Sequence, residues 1–442
     1  MPTADLKVGG YTDAWICRYP VPGTRFRLPT PDSRPFLRIL HTSDWHAGKA
    51  WKGQSRIQEL EAVLDDLAVA VERERIDLVL MTGDVFDVAS PSAEAERLVF
   101  RFFRRVGQLD VPSVVIAGNH DSPARVEAWG QLAELAQVTA CGVVKPHDQG
   151  GCVTIPTRSG EPAVVAMLPF VGPSQFLSAQ ELGVAGGEAV GAYARHMQRL
   201  VADITRGFRA DAVNLLMSHT HMEGAVVGTS ERRVHVAEAW AATVDMLPAT
   251  AHYVALGHIH RNQAIAAAPV PTWYAGAPMQ LDFGEEGEVK AYNIVEVHPD
   301  EPARVTARPY VGARPLRTVT VLASMFEGDS IASASTPSLQ FDEPRVDVSE
   351  RPHLRVIVDC TAGAVDPDIN RKVRAVIPGV VSVDLLRPRP VPGDTQPVLQ
   401  GMFAPRDLYA AYLHHQGQRG TEAMLGAFDA LYQASLVGED EA

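Results

Sequence analysis

Asp44-Trp45-His46, Gly83-Asp84-Val85-Phe86-Asp87, Gly118-Asn119-His120-Asp121, His219 and Gly257-His258-Ile259-His260 set carboxylate, imidazole and amide side chains at short spacings. Two divalent cations held about 3.5 to 4 Å apart need a ligand that bridges them, and a carboxylate with two oxygens suits that task. Asp84 is the expected bridge. Mixed imidazole, carboxylate and amide-oxygen ligation favours manganese, iron or zinc, and the lack of thiolates argues against a structural zinc. Asp-x-His and His-x-His place two side chains on one turn, and the neighbouring glycines let backbone approach the ions.

A lone Asp-x-His is more often a turn than a site. Gly-Asn-His-Asp is rarer, and its polar side chains after an apolar strand would be costly to bury without partners. The ordered set carries the reading. At the fourth position the ligand is His219, at the strand end, or His221 two residues on. His41, His196, His235, His252 and His298 have no companion motif and read as packing or surface residues; Trp45 and Phe86 read as core that fixes the loops.

Four of these groups must follow apolar strands, because open α/β sheets place ligands at the carboxyl ends of their strands. Leu37–Leu40, Asp77–Met81, Val114–Ile116 and Tyr253–Leu256 are those strands, and His219 follows a fifth, Val213–Met217. Apolar residues spaced by three or four from Ile57 to Val71 predict a helix, and so do Leu98, Val99, Phe102, Phe103 and Val106, with Ser90 as cap and Pro91 in the first turn. Strand–helix alternation of this kind implies βαβ units. Further strands are expected at Ala163–Leu168, Thr272–Tyr274 and Ala291–Val297, the last three strands of the region suggesting a second sheet, with a helical insertion between Phe176 and Phe208. After a Pro-containing junction, strands at Thr318–Leu322 and Leu354–Val358 and a helix at Asp366–Ile377 form a small α+β module. A Pro-rich linker then leads to two amphipathic helices carrying Phe403, Leu408, Tyr409, Tyr412, Leu413, Met424, Leu425, Phe428, Leu431 and Tyr432.

At 442 residues the chain should hold two or three compact units. It has no apolar run of roughly 18 residues that could span a bilayer. Four scattered cysteines and an N-terminal stretch without an apolar core point to the cytoplasm. A net charge of −13 argues against a non-specific coat for nucleic acid. The small module carries as many acidic as basic residues, so affinity for DNA would rest on local clusters, Arg371, Lys372 and Arg374 and, near the motifs, Lys49, Lys52 and Arg56.

The motif set resembles the calcineurin-like metallophosphoesterase superfamily. More narrowly, His41-Thr42-Ser43-Asp44-Trp45-His46-Ala47-Gly48, Gly118-Asn119-His120-Asp121-Ser122 and Ala255-Leu256-Gly257-His258-Ile259-His260-Arg261 resemble the SbcD family, the nuclease subunit of the bacterial SbcCD complex. That resemblance implies a four-layer α/β/β/α catalytic domain over 37–313, a DNA-contacting cap over 314–392 and a linker with SbcC-binding helices over 393–442, after an extension at 1–36. It implies one metal on Asp44, His46, Asp84 and His260, and a second on Asp84, Asn119, His219 and His258. His120 would contact the phosphate and protonate the leaving oxygen, with Asp87 orienting its ring. The expected function is a manganese-dependent DNA nuclease for repair, recombination and replication, an exonuclease on duplex ends and endonuclease on single strands, working as a dimer with an SbcC ATPase. The competing expectation is a stand-alone phosphatase acting on small esters or nucleotides. Val88-Ala89 after Asp87, in place of Arg-Gly, disfavours the protein phosphatase branch.

Overall fold

The runs LRIL, LVLM, SVVI and AVVAML have no polar face, and strands of that kind must be covered on both sides. The structure, a computed structural model, meets that demand with two six-stranded sheets packed face to face and helices outside each. It describes residues 36–51, 53–133, 136–172, 187–228, 241–326, 352–361, 366–377, 379–387, 405–415, 421–422 and 424–429. In the first sheet the spatial order is Glu301–Pro309, Ala291–His298, Leu37–Thr42, Leu78–Met81, Ser113–Ile116 and Val138–Cys141. The last four are mutually parallel, and the first two form an antiparallel margin. In the second, Thr272–Tyr274, Tyr253–Gly257, Val213–His219 and Ala163–Leu168 run parallel between antiparallel edges at Gln263–Ala264 and Cys152–Ile155.

Side chains alternate across each strand and so build three apolar layers. Leu37, Ile39, Leu78, Leu80, Val114 and Ile116 meet Val165, Met167, Leu215, Met217 and Tyr253 between the sheets. Leu40, Val79, Met81 and Val115 point the other way, onto helices Ile57–Arg73 and Ala93–Gln108. On the far side Leu168, Leu216, Val254 and Leu256 pack against helix Gly187–Ile204, which lies in the expected insertion. This is the expected four-layer arrangement.

Two expectations need correction. Ala291–His298 joins the first sheet, with Leu37 opposite Val297, because Val295 and Val297 fill the layer between the sheets. The second helix begins at Ala93, where the Ser92 side chain accepts from the Ala95 N–H at 3.2 Å; Ser90 and Pro91 precede the cap. The edge strand Glu301–Pro309 was not foreseen, being mostly exposed and held by backbone pairing.

The small module is a three-stranded parallel sheet, Leu316–Leu322, His353–Asp359 and Val380–Leu386, backed by helix Ile369–Val376. It belongs to one compact unit with the catalytic residues, and 387–442 fall in a second. The joint is polar and partly buried. Glu59 accepts from His353 Nε2 at 2.6 Å, from the Arg314 N–H at 3.0 Å and from Arg56 Nη2 at 2.9 Å. In the second unit, helix Pro405–His415 stacks Tyr409 on Phe428 at 4.4 Å, and Leu408, Tyr412 and Met424 are exposed. Phe403, Leu431 and Tyr432 lie outside the described residues, as do the extension at 1–35 and Lys52.

Burial alone would raise the Glu59 carboxyl, but the bonds from His353 and Arg56 outweigh it and hold it at about 2. A depressed folded value means that the joint is stabilised above the ordinary carboxylate range and weakens as pH falls through it. Glu59→Gln should therefore unfold more easily than wild type by roughly 1.5–3 kcal/mol at neutral pH, the usual worth of hydrogen bonds to a charged group. That difference should shrink between about pH 4.5 and about pH 2. Urea melts of both proteins against pH check this; a gap that stays constant would mean that Glu59 carries no charge in the joint.

Candidate dinuclear metal centre

Every motif sits just beyond, or at the end of, a parallel strand, and the carboxyl ends of both sheets open on the same place. The connecting loops are bonded to one another. Asp44 N–H donates to Gly83 O at 3.0 Å, and His46 N–H to Asp84 O at 3.0 Å. His120 N–H donates to Asp84 Oδ1 at 2.8 Å, and His258 N–H to Asp44 Oδ1 at 3.1 Å. Asp121, absent from the expected site, accepts from Gly118 N–H at 2.9 Å, Phe86 N–H at 3.0 Å and Val85 N–H at 3.2 Å. It ties two loops together without reaching into the centre.

Backbone strain is concentrated here. Asp44, His46, Asp84 and His258 have φ of 52°, 45°, 50° and 101°, a region that costs a non-glycine residue about 1–3 kcal/mol. Two glycines are required by close approach. A Cβ on Gly118 would overlap Asp84 Oδ1, and one on Gly257 would overlap Thr82 O and Ser43 Oγ.

Asp84 lies between two groups of donors. On one side His46 Nε2 is 3.6 Å from Asp84 Oδ2, and His260 Nε2 is 3.2 Å from His46 Nε2. On the other, His219 Nε2 is 3.6 Å from Asp84 Oδ1 and 3.1 Å from Asn119 Oδ1, which also faces His258 Nδ1 at 2.8 Å. The ligand atoms of Asp44, His46 and His260 fall within 4.8 Å of one another, as do those of Asp44, Asp84 and His219, and of His46, Asp84 and His120. His219 joins these groups; His221, though buried, does not.

The proton inventory shows that the residues fit cations. His219 Nδ1 donates to Thr82 O at 2.7 Å, so its Nε2 carries a lone pair, and the nearest partner, Asn119 Oδ1, is itself an acceptor. His260 Nδ1 faces the Glu285 carboxylate at 3.3 Å, and His46 Nδ1 faces Asp87 Oδ1 at 3.2 Å, off the N–H axis. With Nδ1 protonated on both rings, the two Nε2 atoms, 3.2 Å apart, would turn lone pairs toward a cation between them. The carboxylates agree: burial, then the neighbouring charge of Asp84, drives the Asp44 carboxyl well up. Burial would raise Asp84 too, but His219, His46 and His120 pull it below the usual carboxylate range.

His120 is held by its Nδ1, which donates to the backbone carbonyl of Asp87 at 2.7 Å. The Asp87 carboxylate does not orient that ring, as the sequence suggested. It turns to His46 and to Lys49 Nζ at 3.0 Å, and although burial would raise it, these partners hold it at about 2. Trp45 is core as expected, 5.0 Å from Phe102 edge-to-face, with Nε1 donating to Thr42. His41 is buried rather than superficial, between Tyr253 Oη at 2.9 Å and Thr82 Oγ1 at 3.1 Å. Glu285 and Lys290 were missed, since a Glu-Glu-Gly-Glu run reads as a solvated loop.

The basic clusters also need correction. Arg56 is buried, bonded to Gln280 O and stacked 4.4 Å over Trp51, so it presents no surface charge. Arg371 pairs with Asp368 at 3.0 Å and Lys372 with Asp366 at 2.8 Å, while Arg374 donates to Val380 O and Val381 O. These side chains are engaged within the module.

Gly118→Ala should displace Asp84 and lower the content of bound divalent metal well below that of wild type, with the far-UV circular dichroism unchanged. Full metal loading in that variant would mean that the loop absorbs the methyl group and that the close approach is dispensable.

The chain is similar to known proteins over this whole region. A family model described as calcineurin-like phosphoesterase matches residues 37–262. The SbcD subunit of the SbcCD nuclease of Bacillus subtilis (strain 168) is 36% identical over 270 residues, covering 60% of this chain and 68% of that one. Its counterpart in the SbcCD nuclease of Escherichia coli (strain K12) is 30% identical over 352 residues, covering 77% of this chain and 82% of that one.

Proposed function

The chain belongs to the calcineurin-like phosphoesterase family and, within it, to the SbcD nuclease subunits, and from that premise we propose that it cuts DNA phosphodiesters at the centre built around Asp84. One observation carries the reading: imidazole, carboxylate and amide-oxygen ligand atoms gather on both sides of the buried Asp84 carboxylate, a donor set that fits two cations. Asp44, His46, Asp84 and His260 would hold one ion, and Asp84, Asn119, His219 and His258 the other. Bound divalent ions supply charge neutralisation at the phosphoryl oxygens and lower the pKa of water. Manganese suits the mixed oxygen and nitrogen donors.

The chain's own residues would do the rest. His120 is half-buried at the rim, its ring 4.6 Å from that of His46. With Nδ1–H on the Asp87 carbonyl, Nε2 would be the atom that meets a phosphate. In the imidazolium form Nε2–H would donate to the leaving oxygen, and the Asp87 carbonyl would stabilise that charge through Nδ1. Asp87 and Lys49 would act on His46 instead, setting the ring from behind.

The relatives are D subunits of SbcCD nucleases, which supports a DNA substrate and an SbcC subunit as partner. The exposed Leu408, Tyr412 and Met424 of 405–429 fit a partner helix. Exonuclease action on duplex ends, endonuclease action on single strands, a dimer within the complex, and a role in repair complete the reading. Among the described residues no helix is long and apolar enough to cross a membrane.

His120→Ala should lose cleavage of a labelled duplex by at least about 100-fold, the usual contribution of a general acid, while keeping its metal. Duplex, hairpin and small-ester substrates should be compared; ester turnover with no DNA cleavage, with or without SbcC, would overturn the nuclease reading. A chain ending at Gln400 should retain manganese-dependent cutting and no longer co-purify with SbcC. Retained co-purification would move the docking surface elsewhere.

A further inference from the structure

His260 is gripped from two directions. Its Nε2 lies in the centre, 3.2 Å from His46 Nε2, and its Nδ1 meets Glu285 Oε1 at 3.3 Å. Glu285 ends the short helical turn Phe283–Glu285 and is 1% exposed. Its second oxygen accepts from the Leu281 N–H at 2.9 Å and pairs with Lys290 Nζ at 2.6 Å. Lys290 in turn donates to the His260 carbonyl at 3.0 Å and pairs with Glu288 at 2.9 Å. One buried pair therefore holds both the ring and the backbone of the same histidine.

We propose that Glu285 is a positioning residue for the metal centre: by accepting the Nδ1 proton of His260 it fixes the tautomer and ring plane that aim the Nε2 lone pair at a cation shared with Asp44 and His46. A neutral imidazole carries one N–H, so an acceptor at Nδ1 leaves Nε2 as the ligand atom, and it raises the basicity of that ligand. Lys290 Nζ, 2.6 Å from the second oxygen, keeps the Glu285 carboxylate turned toward the ring. The effect of Glu285 on the centre would run through His260. The inference rests on His260 being a ligand, as proposed above.

The test uses the full chain stripped of metal and titrated with manganese by calorimetry, beside thermal melts of the metal-free proteins. Wild type should take up two ions. Glu285→Ala should keep one site and weaken the other by about 10- to 100-fold, as expected when the outer partner of a metal-ligating histidine is removed. Glu285→Gln, which keeps the length and an acceptor oxygen, should restore most of that affinity. Because Glu285→Ala strands a buried lysine, the double variant Glu285→Ala/Lys290→Met should show the same one-site loss with a metal-free melting temperature near wild type. Two wild-type affinities in Glu285→Ala would overturn the proposal. So would an equal loss at both sites that follows the melting temperature and is not restored by Gln. If wild type itself bound fewer than two ions, the ligand reading would fail and this inference with it; two ions in wild type and unaffected variants would sink the positioning role alone.

Discussion

Asp44 and Asp84 are 0% and 2% exposed and sit side by side, and the rest of the centre follows from that placement. Two carboxylates buried side by side repel, and burying even one unpaired charge costs several kcal/mol, of the order of 5. Side chains alone relieve this only in part. His219, His46 and His120 favour the Asp84 anion, while Asp44 is left pushed upward by burial and by Asp84. A pair of cations held by these side chains would relieve the repulsion.

Holding those atoms together is costly. Four residues in left-handed conformation, at about 1–3 kcal/mol each, would amount to a large fraction of an ordinary domain stability of about 5–15 kcal/mol. The offset lies in the layers that anchor the loops. Strands buried on both faces fix where each loop begins. Trp45, locked among Phe102, Phe103 and Thr42, fixes the first loop between its two metal-facing residues. Asp121 gathers three backbone N–H groups from two loops; burial and then the charge of Asp84 raise its carboxyl to about 6, against the pull of those bonds. Rigidity of the centre is thus borrowed from a core that makes no contact with substrate.

What could be read from sequence was whatever is local. Each motif joins a short apolar strand to polar residues within four or five positions, so its place at a strand end followed from pattern alone, as did the helices facing the first sheet. What could not be read depends on partners distant in the chain. Glu301–Pro309 has almost no buried face, so its strand character resides in backbone pairing with Ala291–His298. Asp87 lies three residues from Asp84 on one turn, yet its carbonyl and carboxylate serve different histidines, a distinction that spacing does not encode. Arg56, Arg371, Lys372 and Arg374 look alike as charges in sequence, and only their partners separate a buried Arg56 bonded to Gln280 O from Arg371, which stays exposed in a surface pair with Asp368. Glu285 is the same case in reverse, an acid in a run of acids that proves to be buried.

The segment from Met279 to Lys290 shows how such distant partners concentrate. Glu285 and Lys290 hold His260, while the residues beside them hold the small module. Gln280 Oε1 accepts from the Leu316 N–H at 2.7 Å, and the Glu286 carboxylate accepts from the Thr318 N–H at 3.0 Å, both on the module's first strand. Phe283 stacks on Trp51 at 5.6 Å, and Trp51 in turn meets His353 of the module's central strand edge-to-face at 5.6 Å. So short a segment with so many fixed ends has little slack. Glu285 and Glu286 are adjacent, so moving the module's first strand by more than the tolerance of a hydrogen bond must either break the Glu286 contacts or shift the carboxylate behind His260. Packed elements answer such a displacement by switching between arrangements rather than by stretching. The module and the centre are therefore not two independent attachments to one scaffold: the backbone that seats the first strand of one is the backbone that aims a histidine of the other.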